Sequence, residues 1–120
     1  IWIKFEKKFL KLWETKNYGD AYPKVLFKKN SKKMILEKKV YMQNLFEETI
    51  SYAGAKIIRR IYGFAHNIDF EWIENTKVRA NCEYKASNLA IEMLKNTNSF
   101  KSINDLIKVA KRNENMNVKL

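Results

Sequence analysis

Few side chains in this sequence have types and spacings that could do chemistry, and most of them fall between residues 54 and 83. The chain has one histidine, His66, and one cysteine, Cys82. They are its only soft metal donors, and zinc takes three or four such ligands, so this chain assembles no zinc site by itself. Asp69 lies three residues beyond His66 and could orient the imidazole, but no Ser or Cys nucleophile stands nearby in sequence, which removes a nucleophilic triad. The ordinary role for His66 is at a helix end, where an imidazole donates to carbonyls that lack helical partners.

Arg59 and Arg60 are more informative. On a helix Arg60 projects into the apolar stripe between Ile57 and Phe64, with Arg59 on its flank. A guanidinium among apolar side chains is costly unless a carboxylate, a phosphate or a hydroxylated ligand meets it. The spacing leaves two readings open, a buried ion pair with a carboxylate elsewhere or a ligand site. Asp69-Phe70-Glu71 has the look of a metal-binding Asp-Phe-Gly, but phosphoryl transfer also needs a phosphate cradle, a strand-borne Lys and an upstream catalytic Asp. Three scattered glycines form no Gly-rich loop, so this tripeptide is a decoy.

The elements that position these residues are helical. Trp2, Phe5, Phe9, Leu12 and Trp13 recur at helical spacing over 2–17, with Lys4, Lys7, Lys8 and Lys11 around them. Residues 18–30 break that pattern at Gly19 and Pro23. Ser31 is placed to cap a long helix over 32–65, whose stripe includes Met42, Phe46, Ile50, Ile57 and Ile61. Within it Ser51, Ala53, Gly54 and Ala55 form a small patch that lets another backbone approach. Residues 66–75 form a connector with a short helical turn, and Asn75 or Thr76 caps a helix over 76–96 with Val78, Cys82, Ala86, Leu89, Ala90 and Met93 on its core face. The last helix starts at Ser99 or Ser102, where Ser102 and Asp105 resemble a capping box. Residues 113–120 lack periodicity and are expected to fray, which leaves 1–112 as one helical segment. The predicted fold class is all-α, with Phe46, Ile50, Ile57, Ile61, Leu89 and Met93 in the core.

Composition bounds the function. The 120 residues hold seven Phe, six Tyr and three Trp among 46% hydrophobic residues, enough for a packed core and too many for a disordered chain. No run of about 18 apolar residues offers a membrane span. Ile1 opens the chain with no signal-peptide pattern and without an initiating Met, as expected of a piece of something longer. A lone Cys82 suits a reducing cytosol, and the expected location is cytoplasmic. The net charge of +11 points toward nucleic acid or an acidic partner. Yet 20 of the 24 basic residues are Lys, and residues 41–80 sum to zero, so the charge lies away from the most distinctive stretch. A small basic binding module is therefore the alternative reading.

The stretch Gly54–Glu83 resembles the C-terminal region of S-methyl-5-thioribose kinases. The family pattern runs Gly-Ala/Cys-Lys-x-Ile-Arg-Arg-Ile, then Gly-x-Ala-His-x-x-Asp, then Arg-Ala-x-Cys-Glu. Here Gly54, Lys56, Ile58, Arg59, Arg60 and Ile61 supply the first block. Gly63, Ala65, His66 and Asp69 supply the second, and Arg79, Ala80, Cys82 and Glu83 the third. Leu12-Trp13, Ala21-Tyr22-Pro23-Lys24 and Leu45–Ile50 extend the likeness over roughly 9–112. The resemblance implies the C-terminal helical part of a protein-kinase-like fold, related to aminoglycoside phosphotransferases. It implies an enzyme of methionine salvage that uses ATP and magnesium to phosphorylate methylthioribose. It implies that Arg59 and Arg60 face the sugar substrate, without ranking the two, and it transfers no catalytic, ATP-binding or metal-binding residue to this chain. The expected partners are methylthioribose and the N-terminal kinase region, with self-association through the face that region would cover.

Overall fold

The computed structural model describes residues 1–15, 31–64 and 68–117. Among them the chain is all-α, as its periodicity predicts, with α1 (Trp2–Thr15), α2 (Lys32–Tyr62), the short α3 (Ile68–Glu71), α4 (Thr76–Lys95), a 3-10 turn (Thr97–Ser99) and α5 (Ile103–Glu114). Two compact units divide the chain, Ile1–Leu45 and Phe46–Leu120. The sequence expectations for Gly19 and Pro23, for His66 and for the last three residues lie outside the described residues.

In the first unit the aromatic stripe of α1 forms a ladder. Trp2, Phe5, Phe9 and Trp13 follow one another with ring centroids 5.4, 5.6 and 5.9 Å apart. Three- and four-residue spacing puts these rings on one helix face. That face meets Tyr41: Phe9 stacks on it at 5.8 Å and Trp13 stands edge-on at 5.0 Å. No residue of α1 is fully buried, whereas Met34 and Met42 of α2 are 4% exposed. Ser31 Oγ accepts from the Met34 amide at 3.1 Å, so the cap read from the sequence is formed.

The second unit carries the better-packed core. Phe46, Ile50, Ala90, Met93 and Phe100 are buried, Phe100 completely. Helical spacing puts Ile57, Ile61 and Leu89 in this core, but they are only half-buried, and Val78 is 51% exposed. Gly54 explains how α2 and α4 pack: a Cβ there would lie 3.0 Å from the Ala90 carbonyl oxygen and 3.1 Å from Met93 Cβ. The small-residue patch is used as its composition predicts. Hydroxyl pairs lie at both ends of this contact, Ser51 with Thr97 at 3.0 Å and Tyr62 with Ser87 at 3.0 Å.

Helix starts follow local side-chain chemistry. Asn75 Oδ1 accepts from the amides of Lys77 and Val78, each at 3.1 Å, which settles the choice between Asn75 and Thr76. At α5 the capping box is rearranged: Asp105 Oδ2 accepts the amide of Lys101, one residue before the N-cap, at 3.1 Å, while the Ser102 hydroxyl donates to that same oxygen at 2.9 Å rather than capping the helix. The helix runs on past residue 112 to Glu114. Asn113 is 7% exposed and donates back to the Val109 carbonyl at 3.0 Å, so a polar side chain is buried with its donor satisfied. Among the described residues no helix is long and apolar enough to cross a membrane.

Candidate functional site

Arg59 and Arg60 occupy the last turn of α2, where cationic side chains complement the exposed carbonyl end of the helix. Gly63 fixes where that turn stops. Its amide donates to the Arg59 carbonyl at 2.9 Å, and the backbone turns so that a Cβ on residue 63 would sit 2.3 Å from that same oxygen. Only a residue without Cβ fits there unshifted.

Arg60 is not among apolar side chains, contrary to the helical wheel. Its side chain is 53% exposed, and Phe64, the far edge of the expected stripe, is fully exposed. The apolar periodicity continues past the part of α2 that is covered, so the desolvation cost inferred from spacing is not incurred. A carboxylate does meet Arg60: its Nη1 lies 2.8 Å from Asp69 Oδ2, whose side chain is 42% exposed. The expected ion pair thus exists, at the surface rather than in the core. Arg59 is exposed, and its guanidinium has no carboxylate partner among the described residues.

Asp69 comes from α3, a single turn that holds itself. The Trp72 indole N–H donates to the Asp69 carbonyl at 3.0 Å, and the Ile73 amide to that of Phe70 at 3.1 Å. Sequence reasoning sets Asp69 beside His66 and misses it as the partner of Arg60. The available signal is the nine-residue separation, which spans a helix end and one following turn.

Arg79 and Glu83, in the third block, pair with each other across one turn of α4 at 2.8 Å. The hydrogen bond to Glu83 raises the Arg79 pKa above its usual value, and the charge of Glu71 adds to the effect. Cys82 between them is a half-buried free thiol. Asn81 Oδ1 is buried and accepts no hydrogen bond among the described residues.

Arg60 and Asp69 form an exposed ion pair and Arg59 is the exposed neighbouring residue of α2, a cluster in sequence of two cations and one anion. Such a cluster can donate several hydrogen bonds to an oxygen-rich ligand and supply net positive charge. It contains no evident nucleophile. Among the described residues no three His, Cys, Asp or Glu side chains come together to hold a metal ion.

By fold, the chain corresponds to the C-terminal helical part of a kinase-like lobe. Methylthioribose kinase 1 of Oryza sativa subsp. japonica is 41% identical over 108 residues, which are 88% of this chain and 25% of the rice protein. A methylthioribose kinase of Escherichia coli is 33% identical over 110 residues, 92% of this chain and 26% of that protein. One from Bacillus cereus is 33% identical over 94 residues, 78% of this chain and 21% of that protein. No protein-family model matches the chain. Over most of its length the chain matches the C-terminal part of methylthioribose kinases, and it spans about a quarter of the length of these relatives.

Proposed function

We propose that this chain is the part of an ATP-dependent methylthioribose kinase that forms the sugar-binding side of the site, acting in the cytosol with the nucleotide-binding part of such an enzyme. By itself it is expected to turn nothing over, since its sequence has no Gly-rich phosphate cradle and the resemblance transfers no catalytic Asp to it. The observation that carries the reading is the exposed arginine pair at the end of α2, one guanidinium paired with Asp69 and the other without a carboxylate among the described residues. It lies inside Gly54–Glu83, the stretch whose motifs carry the resemblance to the kinases. A ribose presents several hydroxyls that accept from guanidinium N–H groups, and phosphoryl transfer to one of them develops negative charge that a cation stabilises.

The test uses a complete kinase that carries this segment. Arg60→Met keeps much of the aliphatic stem and deletes five donors. Its kcat/KM for methylthioribose should fall about 30- to 1000-fold, the equivalent of about 2–4 kcal/mol of transition-state stabilisation, with the KM for ATP unchanged. Arg59→Met is measured beside it. If both variants fold and work as well as the parent, the helix does not face substrate and the reading is wrong. If Arg60→Met only lowers the melting temperature while the folded enzyme works normally, the ion pair is a structural tie.

A further inference from the structure

We propose that Asp69 is a positioning residue, whose carboxylate pairs with one nitrogen of the Arg60 guanidinium and so keeps its remaining donors available to a hydroxyl-rich sugar. The inference rests on the functional reading above and assigns a role to a residue that reading leaves out.

Three observations support it. First, Arg60 and Asp69 meet at one atom pair, Nη1 to Oδ2 at 2.8 Å. A guanidinium carries five N–H donors, so an ion pair at one nitrogen draws the group toward the carboxylate and leaves the other donors for a ligand. Second, both side chains remain about half exposed, 53% and 42%. An ion pair in that setting contributes little to stability, so its consequence lies in orientation more than in holding the fold. Third, Asp69 is itself anchored: the Trp72 indole donates to its carbonyl at 3.0 Å, and α3 packs on α4. The carboxylate is thus carried on a fixed turn rather than a free loop.

The charge balance agrees. The Asp69 carboxylate cancels one of the two arginine charges at this helix end. The cluster retains a net positive charge, which suits an acceptor oxygen that becomes more negative during phosphoryl transfer.

The experiment compares Asp69→Asn, Asp69→Glu, Arg60→Met and the double variant Asp69→Asn/Arg60→Met in a complete kinase carrying this segment. It reads kcat and KM for each substrate, together with the thermal midpoint. Asp69→Asn should lower kcat/KM for methylthioribose by about 10- to 100-fold, mainly through KM, because a misplaced contact group costs on that order. The KM for ATP and the thermal midpoint should stay where they were. Asp69→Glu should recover most of the loss, and the double variant should be no worse than Arg60→Met, since a carboxylate with nothing to position has no further effect. A fully active Asp69→Asn beside a crippled Arg60→Met overturns the positioning role alone. So does a double variant whose loss is the product of the two single losses. A neutral Arg60→Met removes this inference, and a neutral Arg59→Met beside it removes the functional reading as well.

Discussion

Replacing Gly63 by Ala should destabilise this chain, although Gly→Ala next to a helix commonly does the reverse. In a helix interior the exchange is worth up to about 1 kcal/mol in favour of Ala. Here the added Cβ would fall 2.3 Å from the Arg59 carbonyl oxygen and 3.4 Å from its carbon. A comfortable carbon–oxygen contact is roughly 3.3 Å, so about 1 Å of relief is required. The obstructing atom is backbone, and it already accepts the residue 63 amide at 2.9 Å, so no side-chain rotation supplies that relief. Either the last turn of α2 opens or the chain leaves it along another path, at about 1–3 kcal/mol. For 120 residues that corresponds to a melting temperature lower by about 4–12 °C, at about 4 °C per kcal/mol. Thermal unfolding of the chain followed by far-ultraviolet circular dichroism measures it. A Gly63→Ala variant that melts at or above the parent temperature would refute the account of why α2 stops where it does. Because the displaced carbonyl belongs to Arg59, the sugar-side role proposed above implies that the same substitution in a complete kinase also raises the KM for methylthioribose.

Phe100→Ala empties a fully buried ring site and should cost about 3–5 kcal/mol in chemical denaturation, against about 5–15 kcal/mol for a whole domain, so a fall of less than about 1 kcal/mol would contradict the packing described. Asp105 gives a pH-dependent outcome. The Ser102 hydroxyl, the nearby backbone amides and the charge of Lys108 hold its carboxyl below the ordinary carboxylate range. A depressed folded-state pKa means a contribution that is complete above that range and is lost as pH falls through the folded value. Asp105→Asn should therefore flatten the acid limb of a stability-against-pH curve, and an unchanged acid limb would count against the link.

Much of the helical framework was legible because helices here announce themselves locally. Asn75 stands in front of its helix with a side chain that caps it, and Gly54 marks the close approach to Ala90. Burial at the end of α2 was not legible. Ile57, Ile61 and Phe64 share a stripe with Phe46 and Ile50, but periodicity records only which side of a helix is apolar. How far along that side a neighbour extends is a tertiary fact, and Phe64 lies beyond it. The same limit governs the candidate site. Sequence singles out Arg59 and Arg60 because two guanidiniums near a stripe demand a partner. It could not name Asp69, since the turn that brings the carboxylate to 2.8 Å depends on how α3 folds after the helix ends. For Ser102 the motif is present while its hydrogen bonds are redistributed, because a hydroxyl can either donate or accept.

The ring ladder of the first unit has an optical consequence. Trp2 and Trp13 belong to that unit and Trp72 to the other, so each unit carries its own indole chromophores. Trp13, half-buried and 5.0 Å from Tyr41, is placed to collect excitation from that phenol and to emit from partly apolar surroundings. Trp72 is 71% exposed and already emits from water. Loss of the α1 ladder should therefore shift fluorescence to longer wavelength and restore tyrosine emission, while melting around α3 leaves the spectrum almost unmoved. Fluorescence and circular dichroism will report different transitions wherever the two units do not unfold together.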